Sequence, residues 1–247
     1  MIELTNLTKT FGDLIAVNNI SLKVASGELF SFLGPNGAGK TTTIKMIVGL
    51  MSPDNGSIHL NGIDIQKDPL TAKRQVGYIP DNAFLYPRLS GIEYLHLIGN
   101  LYEMTAVEIQ EGIDRFVPRL ELEQWLKDRI GGYSQGMKQR LVFAATFIHH
   151  PSVLVIDEPM VGLDPKSARI IKQLLREQAA AGTSVFLSTH NLNVAEELSD
   201  RIAIIHKGQI LRFGSMTELR LSFGEDDNLE DFFLHLLAQE EGQEPDL

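Results

Sequence analysis

The 247-residue chain contains no cysteine, which excludes disulfides, thiolate zinc sites and cysteine nucleophiles. It also lacks an apolar run near the roughly 18 to 20 residues that a membrane-spanning helix needs, the longest largely apolar stretch being Leu141–Ile148. The expectation is a chain that does not cross a bilayer alone. Metal-ligand spacing is missing among the seven histidines: His149 and His150 are adjacent, so on a helix they would point about 100° apart, and they read as helix-end residues. A basic surface is absent too, because the net charge is −10, and this argues against nucleic acid as a partner. Met1–Asn6 has neither a basic start nor an apolar stretch ending in small residues, so a cytosolic location is expected.

The acidity is uneven. Glu225–Leu247 holds nine carboxylates and no Lys or Arg, leaving 22 basic against 23 acidic groups, net −1, in residues 1–224. Within that tail Leu229, Phe232, Phe233, Leu236 and Leu237 recur at helical spacing, which predicts an amphipathic helix docked on the body ahead of a solvated end.

Short apolar or alternating segments at Ile2–Leu7, Ile20–Val24, Leu29–Leu33 and Ile58–Leu60, separated by Ser26-Gly27 and Pro53–Gly56, predict an antiparallel opening lobe. Val153–Ile156 and Val185–Leu187 are uninterrupted apolar runs flanked by helical patterns, as buried strands of a parallel sheet should be. The fold class is therefore α/β. Ser90–Glu93 and Thr105–Glu108 match the S/T-x-x-E capping box, so two helices start there. With a third after Ser134 they form a helical insertion. The expected organisation is one domain over 1–247: a β lobe and core in 1–81 and 146–224, helices in 82–145, and the acidic tail in 225–247.

Two patterns carry chemistry on their own residues. Gly34, Pro35, Asn36, Gly37, Ala38, Gly39, Lys40, Thr41 and Thr42 follow an apolar strand and form a complete G-x-x-x-x-G-K-[ST] phosphate loop. Glycines let successive amides curl around phosphate oxygens, and a helix starting near Lys40 and continuing through Thr41–Leu50 aims its positive end at the same anion. Lys40 should reach the β/γ-phosphates, and the Thr41 hydroxyl should ligate magnesium. Val153–Ile156 then delivers Asp157 and Glu158 to a strand end, where a parallel sheet opens its ligand crevice. Asp157 suits magnesium, and Glu158 suits a general base acting on water.

Phosphate loop, Asp157-Glu158, Gly162-Leu163-Asp164 and Ser188-Thr189-His190, in that order, resemble the ATPase of ATP-binding cassette (ABC) transporters over essentially the whole chain. The resemblance implies a P-loop NTPase (RecA-like) core, ATP and magnesium as ligands, and pairing with a second cassette, identical or not. It also implies a peripheral place on the cytoplasmic face through a transmembrane permease subunit. It makes Asp164 part of the loop linking two ATP sites and His190 a contact of the γ-phosphate, although a lone histidine there would otherwise read as a helix cap. Phe11 becomes the ring stacked on adenine, where the residues alone favour a core aromatic.

The resemblance is imperfect at two places. Where the family usually has Leu-Ser-Gly-Gly-Gln, this chain has Tyr133-Ser134-Gln135-Gly136-Met137, keeping Ser134 and Gly136, which should meet the γ-phosphate of ATP on the opposite subunit. The variant resembles an exporter branch handling drugs, lipids and peptides. Asp81 stands where Gln or Glu is common and can still accept from a metal-bound water. The resemblance further implies that the helical insertion receives a cytoplasmic helix of the permease, and Phe84 and Tyr86 suit such a groove, though a buried patch is the alternative. Rival readings are a soluble cassette acting on DNA or ribosomes, which lacks its usual basic regions here, and a small P-loop kinase, which gives no purpose to Asp164 or Ser134–Gly136.

Overall fold

The structure, a computed structural model, describes residues 1–82, 84–160, 162–221, and 230, 232, 233 and 236. In chain order the strands and helices are β1 (Ile2–Phe11), β2 (Leu14–Val24), β3 (Leu29–Leu33), α1 (Lys40–Ile47), β4 (Asn55–Leu60), β5 (Ile63–Asp64), α2 (Pro69–Arg74), β6 (Val76–Ile79) and α3 (Gly91–Leu101). They continue with α4 (Ala106–Phe116), α5 (Gln135–Phe147), β7 (Val153–Asp157), α6 (Pro165–Ala180), β8 (Ser184–Thr189), α7 (Leu192–Leu198), β9 (Arg201–His206), β10 (Gln209–Ser215) and α8 (Met216–Arg220).

Two sheets result. The smaller, ordered β2-β1-β4-β5, is antiparallel throughout. The larger, ordered β10-β9-β3-β8-β7-β6, is parallel except for the edge strand β10. Every residue of β3, β7 and β8 is buried, which is why these strands read as unbroken rather than alternating apolar runs. The chain visits β3 first, leaves for the opposite edge at β6, and fills the gap later with β7 and β8. The carboxyl ends of β3, β7 and β8 thus line up at one edge of the sheet, the place where such folds bind ligands.

One face of the large sheet, through Phe30, Phe32, Val155 and Phe186, packs with α1 against the small sheet. The other face meets α3, α4, α5 and α6, with Leu154, Ile156 and Leu187 joining Leu95, Ile113, Phe116, Phe143 and Phe147. Both capping boxes expected from sequence form, at Ser90 and Thr105. Helix α4 buries Ile109, Gly112, Ile113 and Phe116, the stripe of an amphipathic helix, whereas α5 is buried from Gln139 to Phe147 and runs through the core.

Two expectations change, at α1 and at His149, and a third, the docked tail helix, is met where the tail is described. Helix α1 ends at Ile47 rather than Leu50, because Gly49 turns left-handed (φ 67°) and stops it. His149 does more than end a helix: it stacks on Tyr102 with ring centroids 3.6 Å apart. In the tail, Phe232, Phe233 and Leu236 are helical and buried against Leu33, Ala195, Ile204 and Leu219, while Leu229 and Leu237 lie outside the described residues.

Candidate nucleotide site

The phosphate loop is held by sterics that only glycine satisfies. A Cβ on Gly34 would sit 2.3 Å from the Ile205 carbonyl oxygen, and Gly39 has φ 107° with a Cβ position 2.4 Å from the Ala16 carbonyl oxygen. Gly39 is the N-cap of α1 and offers no side-chain acceptor, so the helix presents first-turn amides with no capping side chain, at its positive end. Lys40 is buried and folds back, its ammonium donating to the carbonyls of Gly34 (2.6 Å) and Pro35 (3.0 Å). Burial lowers its pKa, and the charges of Glu158 and Asp157 oppose that shift.

Across the crevice, Asp157 is gripped from two elements. The Thr41 hydroxyl donates to its Oδ2 at 3.0 Å, and the Ser188 hydroxyl donates to its Oδ1. Glu158 adopts φ 50°, the left-handed region, at a cost on the order of 1 kcal/mol for a non-glycine residue. The turn is fixed by Glu158 N–H donating to the Ser188 carbonyl (3.1 Å). Its carboxylate then accepts from the His190 amide (2.9 Å) and the Thr189 hydroxyl (3.3 Å), with His190 Nδ1 at 2.7 Å. Nearby, burial followed by the charges of Asp157 and Asp81 pushes the Tyr78 phenol up to about 12.

These groups share a cleft of about 450 Å³. Asn36, Gly37, Gly39, Lys40, Thr41, Thr42, Asp81, Asp157 and Glu158 line it, and Phe11 forms a wall with Leu14, Ile15 and Ala16. The core-aromatic reading of Phe11 is wrong: the residue is 46% exposed, at the carboxyl end of β1. Ala38 and Pro35 form the loop's own turn, Ala38 N–H donating to the Pro35 carbonyl. His190 reaches the site through Glu158 and does not cap a helix; Asn191 caps α7.

Ser134, Gly136 and Asp164 do not line the cleft. Ser134 caps α5, accepting from Met137 N–H at 3.3 Å, and Asp164 caps α6, accepting from the amides of Lys166 and Ser167. Hydrogen bonds from the Ser167 hydroxyl and amide keep the Asp164 carboxyl below the ordinary carboxylate range. A Cβ on Gly136 would meet nothing closer than the Gly162 carbonyl oxygen at 3.9 Å, so these residues gather on a second, open surface.

Sequence reading missed Ser188, Thr189, Leu14–Ala16, Lys207 and Gly208. Ser188 and Thr189 were visible beside His190, but their partners are set by the pairing of Asp157 with Ser188 in adjacent strands. Among the described residues no three His, Asp or Glu side chains converge as a metal site. One carboxylate beside one hydroxyl, Asp157 and Thr41, fits magnesium, which keeps water and phosphate oxygens for most of its shell.

A family model described as ABC transporter matches residues 17–161. The linearmycin resistance ATP-binding protein of Bacillus subtilis (strain 168) is 37% identical over 226 residues, 92% of this chain and 73% of that one. A solved ATP-binding subunit of an ABC transporter superposes with a TM-score of 0.91 at 33% identity, covering 96% of this chain and 99% of that one. A dimeric ATP-binding cassette in a post-hydrolysis state, bound to ADP and Pi, superposes with a TM-score of 0.79 at 28% identity, over 87% of this chain and 99% of that one.

Proposed function

We propose the following cycle for this chain, which belongs to the ABC transporter family and is its ATP-binding, ATP-hydrolysing subunit. Two copies bind ATP, close head to tail, hydrolyse and reopen. Phe11 stacks on the adenine, while Lys40 and the first amides of α1 hold the β- and γ-phosphates. Thr41 and Asp157 would hold magnesium, with Asp81 lining the same cleft, and the ion would supply neutralisation of phosphate charge. Glu158 takes the proton of the attacking water, and His190 orients Glu158 and faces the γ-phosphate. Ser134 and Gly136 of one copy complete the cleft of the other, with Asp164 beside them. ATP then favours the closed pair because it contacts both copies only there.

The observation carrying this reading is the division of the site: one set of polar groups locked together at the ends of β3, β7 and β8, and another left open at the start of α5. Glu158→Gln keeps the shape and removes the base. Hydrolysis should fall by about a hundredfold or more, and gel filtration in saturating ATP should show a trapped dimer. Wild-type turnover by this variant would remove Glu158 from the role; a wild-type protein hydrolysing ATP as a strict monomer would remove the pairing.

The permease is proposed to dock where Phe84 (83% exposed) and Tyr86 (50% exposed) stand edge to face beside a small cavity lined by Tyr78, Tyr94, Tyr102 and His149. Phe84→Ser with Tyr86→Ser should reduce co-purification of the permease about tenfold or more; undiminished recovery would relocate the interface. Export is the proposed direction, supported by the relative named for linearmycin resistance.

A further inference from the structure

We propose that Lys207 is a nucleotide-binding residue that contacts ATP at its α-phosphate. Lys207 and Gly208 are the tip of the β9–β10 hairpin, flanked by the pair Gln209 and His206. Both have positive φ, 44° and 78°, as a two-residue primed turn requires. That tip is fixed on two sides. Gly208 N–H donates to the Ala38 carbonyl of the phosphate loop at 2.9 Å, and the Gly208 carbonyl accepts from Asn18 N–H of β2 at 2.8 Å. A Cβ on Gly208 would lie 2.9 Å from the Ala16 carbonyl oxygen, so the hairpin cannot back away from the cleft wall without losing these bonds.

The placement matters because the tip joins the two halves of the cleft. The Gly208 Cα is 3.5 Å from where a Cβ on Gly39 would stand, at the phosphate end, while Ala16, against which it packs, belongs with Phe11 to the base wall. Between a base and the β- and γ-phosphates lie the ribose and the α-phosphate, and Lys207 lines the cleft at that junction. Charge points the same way. Among the described lining residues, the three carboxylates Asp81, Asp157 and Glu158 stand with two lysines, Lys40 and Lys207. A polyanion entering a cleft with three carboxylates gains from a second cation.

This inference rests on reading the cleft as the nucleotide site, so the experiment separates the two. Calorimetry on the purified full chain measures ADP and a non-hydrolysable ATP analogue with wild type, Lys207→Asn, Lys207→Glu, Lys207→Arg and Lys40→Ala. Asn tolerates the left-handed region at least as well as Lys, so Lys207→Asn keeps the turn, and its melting temperature is measured alongside its affinity. It should weaken both nucleotides by the same factor, about three- to tenfold. Lys207→Glu should weaken them further, and Lys207→Arg should restore binding. The Asn defect should shrink as salt rises from about 0.05 to about 0.5 M, which a purely structural role would not produce. Wild-type affinity in Lys207→Asn overturns the proposal; weakened analogue with unchanged ADP overturns the α-phosphate contact. Wild-type affinity in Lys40→Ala would sink the reading of the cleft itself.

Discussion

The cleft and the open surface at the start of α5 are built by different rules. In the cleft, Asp157 and Glu158 are each held by groups from a neighbouring strand or helix, down to a left-handed backbone at Glu158. At the open surface, Ser134 spends its hydroxyl on its own helix, and a side chain at Gly136 would meet only the Gly162 carbonyl oxygen, at 3.9 Å. The first arrangement preorganises charge, and preorganisation needs many partners within one chain. The second is exposed at Ser134 and Asp164, and its proposed role needs a molecule from outside to come close. The contrast teaches that preorganisation is confined to the cleft, so the completing role proposed for the second surface depends on another molecule.

The sharpest way to break that contrast is to put a side chain at Gly136. Gly136→Asp places a side chain and a negative charge where the second copy's γ-phosphate is proposed to lie. Hydrolysis should fall by about a thousandfold, while nucleotide binding to the isolated chain stays within about twofold, because Gly136 lies outside the cleft. Mixing this variant with Glu158→Gln then gives a decisive readout. Each is inactive alone, yet in a mixed dimer the Gly136→Asp copy keeps its own Glu158 and receives an intact Gly136. Hydrolysis should therefore return on mixing. A mixture as dead as its components would place both residues in one site of one chain.

A second test sharpens the contrast at the far end of α5, where burial excludes charge instead of arranging it. His149 stacks on Tyr102, and its Nδ1 is buried with no hydrogen-bond partner among the described residues. Burial, with a smaller contribution from His150, lowers its pKa from the ordinary 6.5 to about 4. The unfolded chain therefore binds a proton between those values and the folded one does not. The neutral ring's contribution is complete above about pH 6.5 and is lost as pH falls toward about 4, at most about 3 kcal/mol in all. His149→Phe keeps a ring against Tyr102 and removes the titration. Denaturant unfolding from pH 7 to pH 4.5 should show wild type losing stability faster than the variant, and parallel curves would refute the assignment.

What was legible in the sequence was whatever sits in one short run. The phosphate loop is a contiguous pattern, the buried strands announce themselves because β3, β7 and β8 have no solvent face, and the caps at Ser90 and Thr105 depend on residues three apart. What escaped was made by adjacency across the sheet. Phe11 reads as a core ring until β1 is seen ending at the cleft, and Lys207 carries no local signal before the β9–β10 hairpin is braced on Ala38. Residues of the same chemical type differ here only in which strand end lies next to theirs.

Ser188 is the smallest and most specific test of that adjacency. Its hydroxyl donates to Asp157 from the neighbouring strand, and both residues are buried. Asp157 and Glu158 share this support, because the Ser188 carbonyl also accepts from Glu158 N–H. Ser188→Ala removes the hydroxyl and leaves the backbone bond, so it separates the two contributions. A hydrogen bond to a buried carboxylate is worth about 1.5 to 3 kcal/mol, but Asp157 retains Thr41, and the loss in hydrolysis should be nearer about tenfold. The magnesium concentration needed for half-maximal rate should rise with it, since the carboxylate is no longer held toward Thr41 from behind. Ser188→Thr, which keeps a hydroxyl, should recover most of the rate if its extra methyl is accommodated. If Ser188→Ala hydrolysed ATP with wild-type rate and magnesium dependence, Asp157 would be positioned by Thr41 and the strand backbone alone, and the cleft would owe less to its neighbouring strand than its geometry indicates.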